Sequence, residues 1–597
     1  RQTGWAMLFG RNSQEAMDMA LIAHASTLKS QIPFLNIFDG FRTSHELTKV
    51  EVISDEIILK MMDEISILEF RLRAMSPDSP SIRGTAQNPD VFFQSREAGN
   101  SFYINAPGIV SETMRKFGEL TGRNYKLYEY YGHQNPDRII VIMGSGAGAV
   151  NETVEYLNEQ GEAVGYLYVR LFRPVDAKEF VKNIPPSVKS ICVLDRCKEP
   201  GSIGDPLYMD VVNMLAEEWQ GENIKVIAGR YGLASKEFTP AMVMAIYEEL
   251  KNHQARKHFT IGINDDVTHT SLDYDKSFSL DKSLFRGLFY GLGADGTVSA
   301  NKNSIKIIGE TTSNYVQGYF VYDSKKSGAL TVSHLRFDKN PINSTYLIHS
   351  ANFIACHQFN FINKYDILKN AEQGATFLLN TPYETEDVWD RIPQNVQAQI
   401  INKELKFYVV NASKVARETG MGSRINTILQ TCFFAIANII TKDEAIQKIK
   451  DAIKKTYSAK GEKVVLKNFE AVDKTIENLQ QIDYSKYKIG TLEREKIVAH
   501  KAPDFVKEVL AKMLAFEGDE LPVSAFPVDG TYPVGTTQYE KRNIADKAPE
   551  WDADLCSQCG KCFLICPHAA IRCKVYSKDE LDKAPDSFKH TAPIGKE

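Results

Sequence analysis

The stretch RIIVIMGSGAGAVNETVEYLNEQG, Arg138 to Gly161, decides the fold class. An apolar run, a glycine-rich turn and then apolar positions at helical spacing read as strand, turn and helix. AVGYLYVRLFRP (Ala163–Pro174) and SICVLDR (Ser190–Arg196) follow as further strands between helical patterns, the signature of parallel βαβ units. Gly144-Ser-Gly-Ala-Gly148 superficially resembles a dinucleotide loop. No acidic residue stands out at a strand end to hold a ribose, so it reads as a tight structural turn.

The alternation extends both ways. Upstream, SQEAMDMALIAHASTLK (Ser13–Lys29) reads as a capped helix and IPFLNIFDG (Ile32–Gly40) as a short buried strand. Downstream, a polar stretch from about Asn252 to Ser279 bridges to a third strand–helix–strand unit that opens at SLFRGLFYGLGADGTVSANKNSIKIIGE (Ser283–Glu310). Past Tyr484 the chain turns charged and then Pro- and Gly-rich, a connector with little core of its own. The expected class is α/β multidomain: several βαβ parallel-sheet domains, a small linking domain and a partial bacterial-ferredoxin-like domain.

With 597 residues, about four domains of roughly 150 residues are expected. A net charge of −5 argues against a nucleic-acid partner. No apolar run approaches the ~18 residues of a membrane span, so a soluble chain is expected. The nine cysteines form no extracellular disulfide framework, which points to a reducing, cytoplasmic setting.

Four of those cysteines fall in CSQCGKCFLICP, as Cys556-x2-Cys559-x2-Cys562-x3-Cys566-Pro567. This is the bacterial ferredoxin spacing: one tight loop aims three thiolates at a [4Fe–4S] cluster, and the fourth ligates the other cluster of a two-cluster module. A structural zinc site normally pairs two separated C-x2-C knuckles, and the chain holds no second one. The sequence stops 31 residues after Cys566 without a second run. Together with the two blunt ends, this leads us to expect a truncated chain.

FDGFRTSHE, LDRCKEPGSIGDPLY, GRYGLASKEFTPAM, FTIGINDDVTH, FYGLGADGTVSANKNSIKIIG, YFVYDSKKSGALTVSHLRF, GMGSRINTILQTCFFAI and GTTQYEKRNIA resemble, in that order, the pyruvate:ferredoxin (flavodoxin) oxidoreductases. The resemblance covers essentially the whole chain and implies an internal piece of a polypeptide about twice as long. It implies decarboxylation of pyruvate on thiamine diphosphate with Mg²⁺, acetyl transfer to coenzyme A, and electrons passed through [4Fe–4S] clusters to ferredoxin or flavodoxin, in a homodimer. On its map, residues 1–122 are the C-terminal part of a thiamine-diphosphate-binding (pyrimidine-type) domain I, and 123–275 a transketolase-C-terminal-like domain II. Residues 276–490 are a coenzyme-A-contacting domain III, 491–543 a linking domain IV and 544–597 the start of a ferredoxin-type domain V. The Gly-Asp-Gly turn and later Asn of a thiamine diphosphate–Mg²⁺ site are absent, so the isolated piece is expected to be inactive. The alternatives are a stand-alone coenzyme-A-binding and electron-transfer subunit of a split enzyme, and a relative that reduces NADP through a flavin reductase tail.

Two further clusters stand out. Gly291-Leu-Gly-Ala-Asp-Gly296 ends a strand and opens a helix, where backbone N–H groups suit phosphate. Gly293, Asp295, Gly296, Thr297, Asn301, Lys302, Asn303 and Ser304 are the candidate coenzyme A contacts there, with Lys325, Lys326 and Ser327 in the next strand-end turn; a solvated lysine turn is the competing reading. Phe41-Arg-Thr-Ser-His-Glu46 belongs, by the resemblance, to the region facing the active site, with Arg42 and His45 as catalytic candidates. It reads equally as a helix N-cap built on Thr43 or Ser44, with Glu46 in the first turn. The isolated His269 and His357 read as structural.

Overall fold

The strand Arg138–Ile142 (β5) is buried on both faces, and its residues alternate between two cores. Ile139 and Val141 face one cluster with Phe180 and Val211. Ile140 and Ile142 face another with Val150, Val154 and Ile246. The computed structural model describes residues 2–594 except 294, 323–328, 423, 438, 440, 541–548 and 568.

The strands, in chain order, are β1 (Ala6–Phe9), β2 (Phe34–Ile37), β3 (Glu46–Thr48), β4 (Tyr128–Gly132), β5, β6 (Val164–Val169), β7 (Leu171–Arg173), β8 (Ser190–Asp195) and β9 (Lys225–Arg230). They continue with β10 (His258–Ile261), β11 (Ser271–Leu272), β12 (Phe285–Leu292), β13 (Tyr315–Tyr322), β14 (Leu330–Asp338), β15 (Ala351–Cys356), β16 (Ala371–Asn380), β17 (Lys406–Val410) and β18 (Gln480–Gln481). Three sheets form, in the orders β2-β1-β7, β11-β10-β9-β8-β5-β6-β4 and β18-β17-β16-β15-β12-β14-β13-β3. The second is parallel but for β4. The third is mixed: β12, β15, β16 and β17 run parallel, while β14 lies antiparallel between β12 and β13. Only a short segment joins β13 to β14, and so close a connection permits a hairpin but not a parallel crossover.

β6 and β7 are one extended run that changes sheet at Arg170, whose carbonyl accepts the Phe9 N–H at 2.8 Å. Its fully buried guanidinium pairs with Glu15 of the helix Ser13–Ser30 at 2.8 Å and with Glu129 of β4 at 2.5 Å. Arg11 adds a second cation on Glu15 at 2.9 Å. This network holds the first sheet to the second.

The segment beyond Gly490 forms a small cluster of its own around Val498, Ala502 and Val506. It is tied back where Leu492 O accepts the Gln394 N–H at 2.7 Å and Asn264 O accepts the Val523 N–H at 2.9 Å. The cysteine-bearing segment belongs to a second compact unit beginning at Arg542, with short helices Lys561–Ile565 and Lys578–Leu581. Among the described residues no helix is long and apolar enough to cross a membrane.

Arg170→Met should cost about 3–5 kcal/mol in chemical denaturation, because buried Glu15 then keeps only Arg11 and half-buried Glu129 loses its ion pair. Adding Glu15→Leu should restore part of the loss.

Candidate functional site

Strand direction decides which residues share an edge. β12, β13, β15, β16 and β17 all point the same way, so Leu292, Tyr322, Cys356, Asn380 and Val410 end on one edge, where ligands of open α/β sheets bind. β3 pairs antiparallel with β13, Glu46 opposite Tyr319, so the turn before it starts from the same edge. Arg42, His45 and the Gly293–Thr297 loop therefore share that edge. Three strand spacings, about 14 Å, separate β3 from β12.

The Phe41–Glu46 segment is a turn closed by Ser44, whose Oγ accepts the Phe41 N–H at 2.9 Å. No helix follows, because Glu46 opens β3; the turn, and not a helix N-cap, is what forms. His45 is exposed, stacked on Phe41 with centroids 5.1 Å apart, and its ring lies 6.2 Å from that of Tyr322. Arg42 is buried: Nε donates to Thr345 O at 2.7 Å, the guanidinium lies 4.3 Å over Tyr319, and Nη2 is 3.4 Å from Glu237.

In the β12 loop, Asp295 serves its own backbone. Its carboxylate accepts the N–H groups of Leu292 and Thr297, both at 2.8 Å. Buried Thr297 bonds His357 Nδ1 through its hydroxyl at 2.7 Å, and burial pushes that imidazole down to about 4. Along the helix Thr297–Thr311 the candidates separate. Lys302 is exposed, with its ammonium 5.3 Å from the Phe320 ring. Ser304 accepts from Gln430 Nε2 at 3.0 Å, and Asn303 donates to Gln430 Oε1 at 3.4 Å, so both meet the helix Asn426–Ile436. Asn301 is buried with no partner for its Nδ2 among the described residues. Gly293 is exposed, and Gly296 is left-handed (φ 85°) against Asn426. Lys325, Lys326 and Ser327 lie outside the described residues.

Sequence reasoning passed over Asp39, Arg196 and Glu237. Asp39 accepts the Ser145 N–H at 2.6 Å and pairs with Arg196 at 2.9 Å, so the Gly144–Gly148 turn is filled by a protein carboxylate. A side chain at Gly148 would strike Asn343 O, which accounts for the glycine by packing. Glu237 accepts from Leu347 N at 2.9 Å and lies 3.1 Å from His349 Nε2. Burial opposes its charge, but facing Arg42 and His349 hold its carboxyl down at about 2. Asp39 and Glu237 sit inside quoted motifs, yet their partners are far away in sequence, so no local spacing marks them.

Backbone N–H groups point at sulfur in the cysteine unit: Gln558 N donates to Cys556 Sγ at 3.4 Å and Ala570 N to Cys566 Sγ at 3.3 Å. A bond from the Lys561 N–H lowers the Cys559 thiol. Such donors stabilise thiolate charge, so this donor set fits an iron–sulfur cluster. Cys559 and Cys562 are exposed and Cys556 and Cys566 half-buried. Among the described residues no three His, Cys, Asp or Glu side chains converge in metal-binding geometry.

Profiles of known families match most of the chain in sequence. They are pyruvate flavodoxin/ferredoxin oxidoreductase, thiamine diphosphate-binding (residues 1–115); pyruvate:ferredoxin oxidoreductase core domain II (136–243); pyruvate ferredoxin/flavodoxin oxidoreductase (286–478); a domain of unknown function (491–545); and a 4Fe-4S binding domain (548–571). The chain is 55% identical to a pyruvate-flavodoxin oxidoreductase of Nostoc sp., covering 99% of this chain and 51% of that one. It is 52% identical to a pyruvate:ferredoxin oxidoreductase of Moorella thermoacetica, covering 100% and 51%. The chain thus spans about half the length of these relatives.

Glu237→Gln should lower stability at pH 7 by about 1–3 kcal/mol, since a depressed carboxyl stabilises the fold above its unfolded value. Denaturation midpoints should converge with the parent's as pH falls from 4.5 toward 2.

Proposed function

Because the chain belongs to the pyruvate:ferredoxin (flavodoxin) oxidoreductase family, we propose that it takes part in converting pyruvate and coenzyme A to acetyl-CoA, CO₂, a proton and two electrons. The electrons leave singly through [4Fe–4S] clusters to ferredoxin or flavodoxin. The carrying observation is the ordered match of four domain types with the cysteine run, at over 50% identity. Thiamine diphosphate, when bound, supplies the electron sink for decarboxylation.

On this reading residues 1–122 contribute one wall of the thiamine site, 123–275 a scaffold, 276–490 the coenzyme A surface, 491–543 a link and 544–597 the first cluster ligands. Cys556, Cys559 and Cys562 would hold one cluster and Cys566 would serve a second. Exposed His45 is the candidate to meet substrate; Arg42, held by Thr345, Tyr319 and Glu237, positions the turn. The Gly293–Thr297 loop, Asn301 and Lys302, with Lys325, Lys326 and Ser327, form the candidate coenzyme A surface. The homodimer carried by the resemblance gains support from exposed Leu68, Phe70 and Phe93 on the helices Glu64–Leu72 and Pro89–Glu97. A cysteine pattern that forms no extracellular disulfide framework fits a reducing, cytoplasmic setting.

No Gly-Asp-Gly turn occurs in these 597 residues, so the diphosphate–Mg²⁺ holder must come from elsewhere. After anaerobic iron–sulfide reconstitution, the 597-residue chain should bind iron substoichiometrically, as a labile centre by EPR, and form no acetyl-CoA from pyruvate. Stoichiometric zinc without iron would refute the electron-transfer role, and acetyl-CoA formation would refute the inactivity.

A further inference from the structure

The neighbouring strands β17, β16, β15 and β12 end in a line of buried polar groups. Asn380 is the last residue of β16, and His357 follows the last residue of β15. Asn380 Oδ1 accepts the Ala412 N–H, just past β17, and its Nδ2 donates to His357 O, both at 3.0 Å. The His357 N–H donates in turn to Tyr290 O of β12 at 2.8 Å. The imidazole carries the line into the loop after β12: its Nδ1 meets the Thr297 hydroxyl at 2.7 Å, and the Thr297 N–H donates to Asp295 at 2.8 Å.

His357, Thr297 and Asn380 are all buried. Apolar side chains would fill that space without a desolvation cost, whereas bonded polar groups specify one arrangement of the elements that carry them. Little freedom is left to either partner of the short bond. A Cβ at Gly291 would strike the Thr297 hydroxyl, so only glycine lets Thr297 seat against the end of β12. The imidazole stands edge-on to Phe289, with ring centroids 6.4 Å apart. Burial pushes it down to about 4 against the pull of Asp295, so it is neutral at pH 7.

We propose that His357 is the positioning residue of the candidate coenzyme A loop: through the Thr297 hydroxyl it sets the first turn of the helix Thr297–Thr311, and with it the backbone offered to the ligand's phosphates. This rests on reading that loop as part of the coenzyme A surface, and it names the group that holds the surface in place. His357 acts only through Thr297. Without it a buried hydroxyl loses its partner, and the first turn is tied to the sheet by one bond fewer.

The test is coenzyme A titration, beside chemical denaturation, on variants of the 597-residue chain. His357→Leu should weaken binding roughly three- to tenfold, the range of one hydrogen bond. His357→Asn, whose amide keeps a polar atom near the Nδ1 position, should bind like the parent. In a cycle with Thr297→Val the losses should not add, so the double variant binds like His357→Leu alone. Its stability should nonetheless recover in part, because both polar partners are gone. Unchanged affinity in His357→Leu, losses that add, or affinity that returns together with stability would each overturn the proposal. A parent that does not bind coenzyme A removes the ligand assignment, and hydrogen exchange on the unliganded chain then decides the positioning role. Faster exchange across Leu292–Asn303 in His357→Leu, restored in His357→Asn, supports it; exchange equal to the parent's in His357→Leu overturns it.

Discussion

A run of eleven residues, Phe38–Thr48, is gripped by both of the larger sheets, and the architecture of the main unit depends on that grip. Asp39 reaches the helix N-terminus after β5, Arg42 bridges Glu237 and the Thr345 carbonyl, and Glu46–Thr48 add a strand to the mixed sheet. Each anchor is buried or half-buried, where a lost partner leaves an uncompensated polar group. The segment therefore fixes how the candidate turn meets the strand ends. Arg42, which by composition alone resembles a catalytic cation, is committed to this grip. His45, beside it, is exposed.

A second regularity separates structural turns from candidate ligand-facing ones. Helix N-termini attract anions, and this chain repeatedly supplies its own. Asp39 serves Ser145, Asp195 serves Leu207 and Tyr208, and Asp295 serves Thr297. Burial raises Asp195 to about 6 even though those two N–H bonds pull it down. At the Gly144–Gly148 turn the carboxylate and the close approach of Asn343 leave no place for a phosphate. At the Gly293–Thr297 loop the case differs: Gly293 is exposed, and Asn301, one turn further on, has no partner for its Nδ2 among the described residues.

The parallel sheet was legible because a strand buried on both faces announces itself as an uninterrupted apolar run, as in Ile139–Ile142. The cysteine loop was legible because its four cysteines lie within eleven residues. The hairpin direction of β13 and β14 was not, since both strands read equally well in either sense. β3 was invisible: three residues carry no period, and its partner lies some 270 positions away. Thr43 and Ser44 looked like caps because those residue types cap helices, but Ser44 closes a turn, and long-range pairing decided what followed. In the candidate loop the glycines and Thr297 were put forward from local pattern, whereas the diversion of Asn303 and Ser304 to Gln430 depends on a helix more than a hundred residues away.

The central claim is that the strand-end edge of the mixed sheet is the ligand face, while the glycine-rich turn after β5 is internal. A hydrogen-exchange footprint of saturating coenzyme A on the 597-residue chain tests this directly. Slowed exchange across Leu292–Asn303, with none across Gly144–Asn151, is the predicted result. Protection at Gly144–Asn151, or an unchanged Leu292–Asn303, would contradict it.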